Sequence, residues 1–505
     1  RLFLQTAWHA FEDAGITSLD VADKSVGVFV GVMWGEYQLY GLEPNVGDLK
    51  PNSSYASVAN RVSYTLNLSG PSIALDTMCS SSLTAIHLAC QSIRSGDCDM
   101  ALAGGVNLTL HPNKYMHLSQ GRFAATDGRC RAFGDGGDGY VPGEGVGAVL
   151  LKPLSQAQAD GDRIHGLIRG SAINHGGRTN AYTVPNPRAQ AAAVRKAISR
   201  AGVAPADLTY IEAHGTGTAL GDPIEIAGLA DALGTGCSIG SIKSNLGHLE
   251  SAAGIAALTK VLLQMRHRQL APSLHADVLN QNIDFAGTGF RVQTTLEPWQ
   301  SKQHGTPLVA GVSSFGAGGA NAHLTIESYD EARTTVPSSQ DRHAVLLSAP
   351  TLEALRRQAE HYLDYFKTQP GDSLPSLADV AYTSQVGRET HRERLALSVK
   401  SLEDLCHALK AFLNNEAHSA IAKGSNDGVS SVLTAVRDDS DGKAFIEALI
   451  AKRKVTKLAN FWTLGMDIDW SALHESGRMR VALPLYAFEP RRCWVGEDIQ
   501  PGTAL

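Results

Sequence analysis

Between residues 20 and 330 short apolar runs alternate with stretches of helical periodicity, and this alternation constrains the fold more than any other feature of the 505-residue chain. Strand-like runs fall at 25–32, 101–109, 146–152, 166–173, 208–213, 238–242, 308–314 and 321–327. Helical runs lie near 79–95, 188–202, 222–233 and 248–267. The pattern predicts an α/β fold. The content of Ala, Val, Ile, Leu, Met, Phe, Trp, Tyr and Cys, 43%, is ample for sizeable cores, and the length allows two or three domains.

One cysteine occupies a special place in this alternation. The apolar run Pro71 to Leu75 reads as a buried strand, and Leu83, Ile86, Cys90 and Ile93 recur at helical spacing up to Gly96. Cys79, in Asp76-Thr77-Met78-Cys79-Ser80-Ser81-Ser82, therefore lies where a strand turns into a helix. Unpaired amides and the positive end of the helix dipole are expected to favour a thiolate there. A lone cysteine at a helix start is by itself more often a small packed residue. Two histidines in Gly-rich turns change that balance. His214, in Glu212-Ala213-His214-Gly215-Thr216-Gly217-Thr218, follows the apolar run Leu208 to Ala213, so its ring projects from a strand end into a space lined by backbone. His248, in Lys243-Ser244-Asn245-Leu246-Gly247-His248, opens the helical pattern 249–267 after a lysine-bearing loop. A catalytic cysteine and its histidines are commonly remote in sequence and adjacent in the fold.

Charge and cysteine usage narrow the classes further. Lys and Arg number 44 against 50 Asp and Glu, and a formal net charge of −6 without a basic block argues against nucleic-acid binding. No apolar stretch is long enough to span a bilayer and no signal peptide opens the chain, so a cytoplasmic location is expected. The seven cysteines (79, 90, 98, 130, 237, 406 and 493) are odd in number, widely spaced and without a CxxC pair, so neither a disulfide framework nor a metal site is expected. The other six read as packed thiols. No GxxxxGK[ST] loop or GxGxxG context occurs, the run Gly134 to Gly147 reads as a turn leading into a strand, and no bound cofactor is expected.

Taken together, Asp76 to Ser82, His214 to Thr218, Lys243 to His248 and Ser313-Ser314-Phe315-Gly316-Ala317-Gly318-Gly319-Ala320-Asn321-Ala322-His323 resemble the β-ketoacyl synthase family of the thiolase superfamily. The resemblance covers residues 1 to about 328. It implies a thiolase-like fold of two similar halves stacked as five αβαβα layers, the second half starting near residue 165. It also implies a chemistry. Cys79 takes an acyl chain from a carrier thioester, and His214 and His248 stabilise the enolate left when a malonyl thioester loses carbon dioxide. The oxyanion formed on the acyl-Cys79 carbonyl is held by the backbone N–H groups of Cys79 and Ala317. Lys243 supports the site, while Thr216, Thr218 and Phe315 contact the pantetheine arm and substrate. A thiolase shares the fold and the acylated cysteine, but it uses a second cysteine near the domain end, where this chain has Asn321 and His323. A non-elongating domain, acting as a dimeric scaffold or acyl gate, typically loses the counterpart of His214. An iterative or fatty-acid-type ketosynthase is the runner-up within the same chemistry.

The resemblance extends to the chain's organisation. Arg1 is not a start methionine, Leu4, Trp8 and Phe11 already form a helical stripe that stops near Gly15, and family members begin with an upstream strand and helix. An N-terminally truncated ketosynthase spanning 1–328 is therefore expected. A polar stretch with Thr334, Thr335, Pro337, Ser338 and Ser339 follows it. Helical stripes at 351–367 and 402–414 and strand-like segments at 343–348 and 394–398 then predict an α+β module over 329–475, similar to the linker domain that flanks modular polyketide ketosynthases. Gly424 to Asp441 reads as a mobile loop. Residues 476–505, with Ala482 to Trp494, resemble the tail that returns across the ketosynthase. The roughly 140 residues between Glu327 and Phe461 are too few for a linker and an acyltransferase domain. No Gly-x-Ser-x-Gly elbow is present. Met78, Val141-Pro142-Gly143-Glu144-Gly145 and Val184-Pro185-Asn186-Pro187 look like the trans-acyltransferase branch. The partners implied are acyl carrier proteins bearing phosphopantetheine, a separate acyltransferase and a second copy in a homodimer. Ala317 is a departure, since many single-function ketosynthases have phenylalanine there; a wider acyl channel is expected.

Overall fold

The computed structural model describes residues 1–42, 53–330, 340–369, 374–426, 439–475 and 478–494. Its strands, in chain order, are β1 (Val26–Gly31), β2 (Ser72–Leu75), β3 (Met100–Asn107), β4 (Gly145–Leu151), β5 (Leu167–His175), β6 (Leu208–Glu212), β7 (Ser238–Gly240), β8 (Gln269–Leu270), β9 (Arg291–Val292), β10 (Glu297–Pro298), β11 (Val309–Phe315), β12 (Ala320–Glu327), β13 (His343–Ala349), β14 (Glu393–Val399) and β15 (Ile421–Ser425). One sheet has the order β2-β1-β3-β4 and another β5-β12-β11-β6-β7-β9. In the first, β1 runs parallel to β2 and β3, and β3 antiparallel to β4. In the second, β6 runs parallel to β7 and β11, and β11 antiparallel to β12. The motif β2-β1-β3-β4 thus recurs as β7-β6-β11-β12, which is the two-fold repeat of the thiolase-like arrangement. The second copy adds β5 antiparallel to β12.

Two helices lie between the sheets. Ser81–Ser95 packs on β1 and β3 and also on β5 and β12, while Ala253–His267 contacts β3 and β4 on one side and β6 and β11 on the other. Both are buried over much of their surface, including polar residues such as Ser82, His87, Lys260 and Gln264, because both faces are covered. Leu83, Ile86, Ile255, Leu258 and Val261 belong to the core they share with Val312 and Leu324. Leu2–Ala14 and Ala56–Thr65 cover the outside of the first sheet, and Pro187–Ala201 and Gly221–Leu233 close the far side of the second. The first of these helices stops at Gly15, which takes the left-handed conformation with φ 67°.

Two expectations need correction. The run Pro71 to Leu75 is not a buried strand: β2 is the edge of its sheet and Ile73 is 40% exposed. Apolarity alone does not separate a central strand from an edge that awaits a partner. The helical pattern expected from His248 begins only at Ala253, after a 3₁₀ turn at Glu250–Ala252. His248 instead sits in extended backbone, its N–H donating to Val141 O at 2.7 Å and its carbonyl accepting from Gly143 N–H at 2.9 Å.

Beyond Glu327 a third sheet, β13-β14-β15, is wholly antiparallel and packs on Leu352–Thr368, Leu377–Val386, Leu402–Leu413 and Val455–Thr463. The polar stretch with Thr334 to Ser339 lies outside the described residues, as does most of the loop expected at Gly424 to Asp441. The C-terminal segment returns to the first helix. Tyr486 N–H donates to Glu12 Oε2 at 2.7 Å, and Trp8 meets the rings of Tyr486 and Phe488. Val481 and Leu483 join the core of the third sheet on the way.

Candidate active site

The turn from β2 into Ser81–Ser95 is held by its own side chains. Asp76 Oδ1 accepts from Met78 N–H at 2.7 Å, and Ser81 Oγ accepts from Thr77 N–H at 2.9 Å and donates to Met78 O at 2.6 Å. Met78 consequently takes φ 56°, an unusual angle for a side chain of this size, and the next residue, Cys79, is turned toward the second half of the fold. Ser314 Oγ of β11 donates to Cys79 O at 2.7 Å, fixing the two halves to each other at this cysteine.

His214 stands two residues beyond Glu212, the end of β6. Glu225 accepts from the N–H groups of His214 at 2.7 Å and Gly215 at 2.8 Å, and Asp222 accepts from Phe133 at 2.7 Å and Gly217 at 3.2 Å. These two buried carboxylates of Gly221–Leu233 shape the turn that carries Thr216 and Thr218, whose hydroxyl oxygens are 3.2 Å apart. Glu212 organises the next loop, accepting from Ile242 N–H at 2.6 Å, Tyr210 OH at 2.6 Å and Lys260 Nζ at 2.7 Å.

The fold brings Cys79, His214 and His248 together: their ligand-capable atoms all lie within 4.8 Å of one another. The imidazoles meet edge to face at 5.3 Å, and Phe315 lies 5.9 Å from His214. His248 Nδ1 accepts from Glu250 N–H at 3.0 Å, so the ring proton resides on Nε2. That Nε2–H is buried without a hydrogen-bond partner in the protein, and so is His214 Nδ1. Buried polar atoms are ordinarily satisfied, so the unpaired donor at His248 Nε2 is free to bind a substrate oxygen. A soft metal ion would need an unprotonated nitrogen, whereas the tautomer of His248 presents a donor.

The electrostatics correct one expectation. Burial pushes the Cys79 thiol up to about 12, and the charge of Glu250 adds to this, while the backbone N–H groups of Ala317 and Cys79 and the charge of Lys243 act in the opposite direction. The helix start does not prevail, because a thiol that is 6% exposed loses its hydration before the dipole is counted. Cys79 rests as a thiol and must give up its proton as it reacts. Burial first, then the charge of Lys243, holds both histidines neutral, well below the usual 6.5. Lys243 is not on a solvated loop: it begins the short helix Lys243–Leu246, is 2% exposed, and its own pKa is lowered by burial. Ala317 lies in the turn joining β11 to β12, where a Cβ on Gly316 would come within 2.6 Å of Thr77 O, so glycine permits the close approach to the turn that carries Cys79.

A buried ionic network escaped the sequence reading. Lys114 and Glu250, both 0% exposed, pair at 2.6 Å. Glu250 also accepts from Trp34 Nε1 at 2.7 Å and Tyr140 OH at 3.1 Å, and the Tyr140 ring packs at 4.6 Å on His248. Glu250, two residues after His248, was open to suspicion as a polar residue opening an apolar helix. Lys114 gave no signal at all. Asp222 and Glu225 were missed as well, although two carboxylates three apart on one helical run were a signal that could have found them.

Residues 1–157 match the N-terminal domain of β-ketoacyl synthases, and 165–277 match the C-terminal domain. The chain belongs to the β-ketoacyl synthase family. Residues 346–416 match the RhiE-like KS-MAT linker domain, so this ketosynthase carries a flanking linker of polyketide synthase type. Among its relatives, polyketide synthase PksL of Bacillus subtilis is 49% identical over 521 residues, 98% of this chain and 12% of PksL. Polyketide synthase ThaG of Burkholderia thailandensis is also 49% identical over 519 residues, 98% of this chain and 9% of ThaG. The chain thus spans about a tenth of the length of these relatives. An oxazolomycin ketosynthase domain of Streptomyces albus superposes with a TM-score of 0.88 at 46% identity, covering 98% of this chain and 83% of that one. The ketosynthase from module 6 of the bacillaene synthase of Bacillus subtilis gives 0.90 at 38% identity, covering 98% and 86%. Among the described residues no helix is long and apolar enough to cross a membrane.

Proposed function

We propose that this ketosynthase elongates a polyketide chain by decarboxylative Claisen condensation on Cys79. The observation that carries the reading is the Cys79–His214–His248 cluster with its two orphaned imidazole nitrogens. In loading, the Cys79 sulfur attacks an acyl thioester. A C–S bond forms, the proton passes to a neutral histidine, and the carrier's pantetheine thiol leaves with a proton. In condensation, the malonyl C–C bond breaks and carbon dioxide departs. The electron pair becomes an enolate whose oxygen accepts from His248 Nε2–H and from His214. The enolate carbon then attacks the acyl-Cys79 carbonyl, whose oxyanion accepts from the N–H groups of Cys79 and Ala317. Collapse breaks the C–S bond, and the departing sulfur takes a proton from solvent water by way of a neighbouring histidine, which restores the thiol. Lys243 supports the site through its charge, and Thr216, Thr218 and Phe315 line the path of the pantetheine arm.

Ketosynthase domains carry no cofactor of their own, and phosphopantetheine arrives on the acyl carrier proteins that are the proposed partners. The short span between Glu327 and Phe461, with no Gly-x-Ser-x-Gly elbow, supports a separate, trans-acting acyltransferase, and membership of the ketosynthase family supports a second copy as homodimer partner. On this reading 1–328 is the condensing unit, 329–475 the flanking linker and 476–505 the returning tail. A scaffold or gate that makes no bond would have no use for the donor fixed at His248 Nε2 or for an imidazole at 214.

Intact-mass and carbon dioxide assays separate the readings. Cys79→Ala is expected to abolish acyl loading with the fold retained. His214→Ala and His248→Ala are expected still to load but to lose carbon dioxide release from malonyl carrier protein by ~10²-fold, the scale of losing one oxyanion donor. Unchanged release in both histidine variants would move the chain to the scaffold or gate class.

A further inference from the structure

The turn that carries the Ala317 amide is gripped from outside by a histidine that plays no part in the chemistry above. Gly319 N–H donates to Gly316 O at 2.8 Å, closing a four-residue turn with Ala317 and Gly318 at its corners. Nearby, His175 at the end of β5 makes two bonds. Its Nδ1 accepts from Gly177 N–H at 3.0 Å, and its Nε2 lies 2.9 Å from Gly318 O. A neutral imidazole that accepts at Nδ1 carries its proton at Nε2, so the second bond runs from His175 to the Gly318 carbonyl. Gly176 N–H adds a bond to Gly319 O at 2.8 Å, so the end of β5 holds the turn at two points. Gly319 has φ 92°, and a Cβ there would lie 3.1 Å from His175 Cε1 and Nε2. Glycine at 319 therefore satisfies the backbone angle and leaves the imidazole its seat. On the opposite side the same turn approaches Thr77 O, next to the nucleophile.

We infer that His175 is a positioning residue for the oxyanion amide: by holding the Gly318 carbonyl it fixes the turn, and so the direction in which Ala317 N–H points at Cys79. The inference rests on the proposed role of Ala317 as an oxyanion donor. It predicts a selective defect. Acyl transfer onto Cys79 builds charge on a carbonyl facing Ala317, whereas decarboxylation builds charge facing His214 and His248. Releasing the turn slows the first and spares the second.

The test uses the whole chain with acetyl-pantetheine for loading and malonyl carrier protein for carbon dioxide release. His175→Ala is expected to lower the maximal loading rate ~10-fold or more, in line with the cost of misplacing a catalytic group by a fraction of an ångström, with KM little changed and carbon dioxide release within two-fold of wild type. His175→Gln, whose amide N–H reaches the position of Nε2, is expected to recover most of the loading rate, and His175→Asn, too short to reach Gly318, is not. Equal losses in both reactions, full loading in the alanine variant, or rescue by asparagine as good as by glutamine would each overturn the inference. A wild-type chain that loads but releases no carbon dioxide would overturn elongation and leave the loading comparison decisive for His175. One that neither loads nor releases it would remove the reading and the inference together.

Discussion

At the residue scale, the decisive facts concern protons. Cys79 is a buried thiol pushed up to about 12, set beside two neutral imidazoles, one of which has its tautomer fixed by the Glu250 amide. Burial thus opposes a resting thiolate at Cys79, and on the proposed mechanism the proton leaves as the acyl carbonyl arrives. Ala317 is the position at which a wider acyl channel is proposed. It is partly exposed next to buried Phe315, and the bulkier residue common at this position would crowd the channel. Ala317→Phe is expected to keep acetyl loading within a few-fold and to slow loading of branched or long acyl thioesters sharply, through overpacking of the channel. Loading rates for one short and one branched acyl pantetheine check this. An equal drop for both would show a damaged turn instead of a narrowed channel.

At the element scale, the site depends on joints between segments remote in sequence. Lys114 of Asn113–Gln120 pairs with Glu250 and donates to Asn107 Oδ1 at the end of β3, and Asn107 Nδ2 donates to Gly143 O in the segment that backs His248. Glu250 itself has φ 45°, a conformation that costs energy and persists because its side chain has three partners. Lys114→Met removes the cation and leaves a buried carboxylate unpaired, so a loss of about 3–5 kcal/mol of stability is expected. Urea unfolding followed by circular dichroism measures it. A midpoint equal to wild type would show that Glu250 finds a new partner or takes up a proton at little cost.

At the scale of the whole molecule, burial of titratable groups makes stability depend on pH. His87 and His474 are lowered to about 4 and His323 to about 3, each chiefly by burial, and His214 and His248 lie well below 6.5. The unfolded chain binds these protons near 6.5 and the folded chain does not, so the unfolded state gains protons first and stability falls as pH drops below 6.5. Asp222 and Glu225, raised by burial to about 6 and about 7, work the other way, since the folded state takes up their protons first. His343 and His391 are lowered too, and Glu12 and Asp76 raised, so seven histidines outweigh four carboxylates. The urea midpoint is expected to decline between pH 6.5 and 4, and a rise over that range would show that the buried carboxylates dominate.

Much of this was legible in the sequence, for a local reason. Strand and helix positions follow from apolar period, and β1, β3 to β7, β11 and β12 fall within about two residues of the apolar runs because each run must be covered by helices. Cys79, His214 and His248 were likewise readable, since each stands in a turn whose glycines and hydroxyls are needed to place it. What tertiary structure alone decided is what depends on neighbours. Burial overrode the helix dipole at Cys79, the pairing with Val141 and Gly143 drew His248 out of its helix, and β2 became an edge. The union of Lys114 with Glu250, and of His175 with the turn at Gly318, joins residues 136 and 143 positions apart. No period in a sequence encodes such contacts, because the packing of the two halves brings Lys114 to Glu250 and the pairing of β5 with β12 brings His175 to the turn.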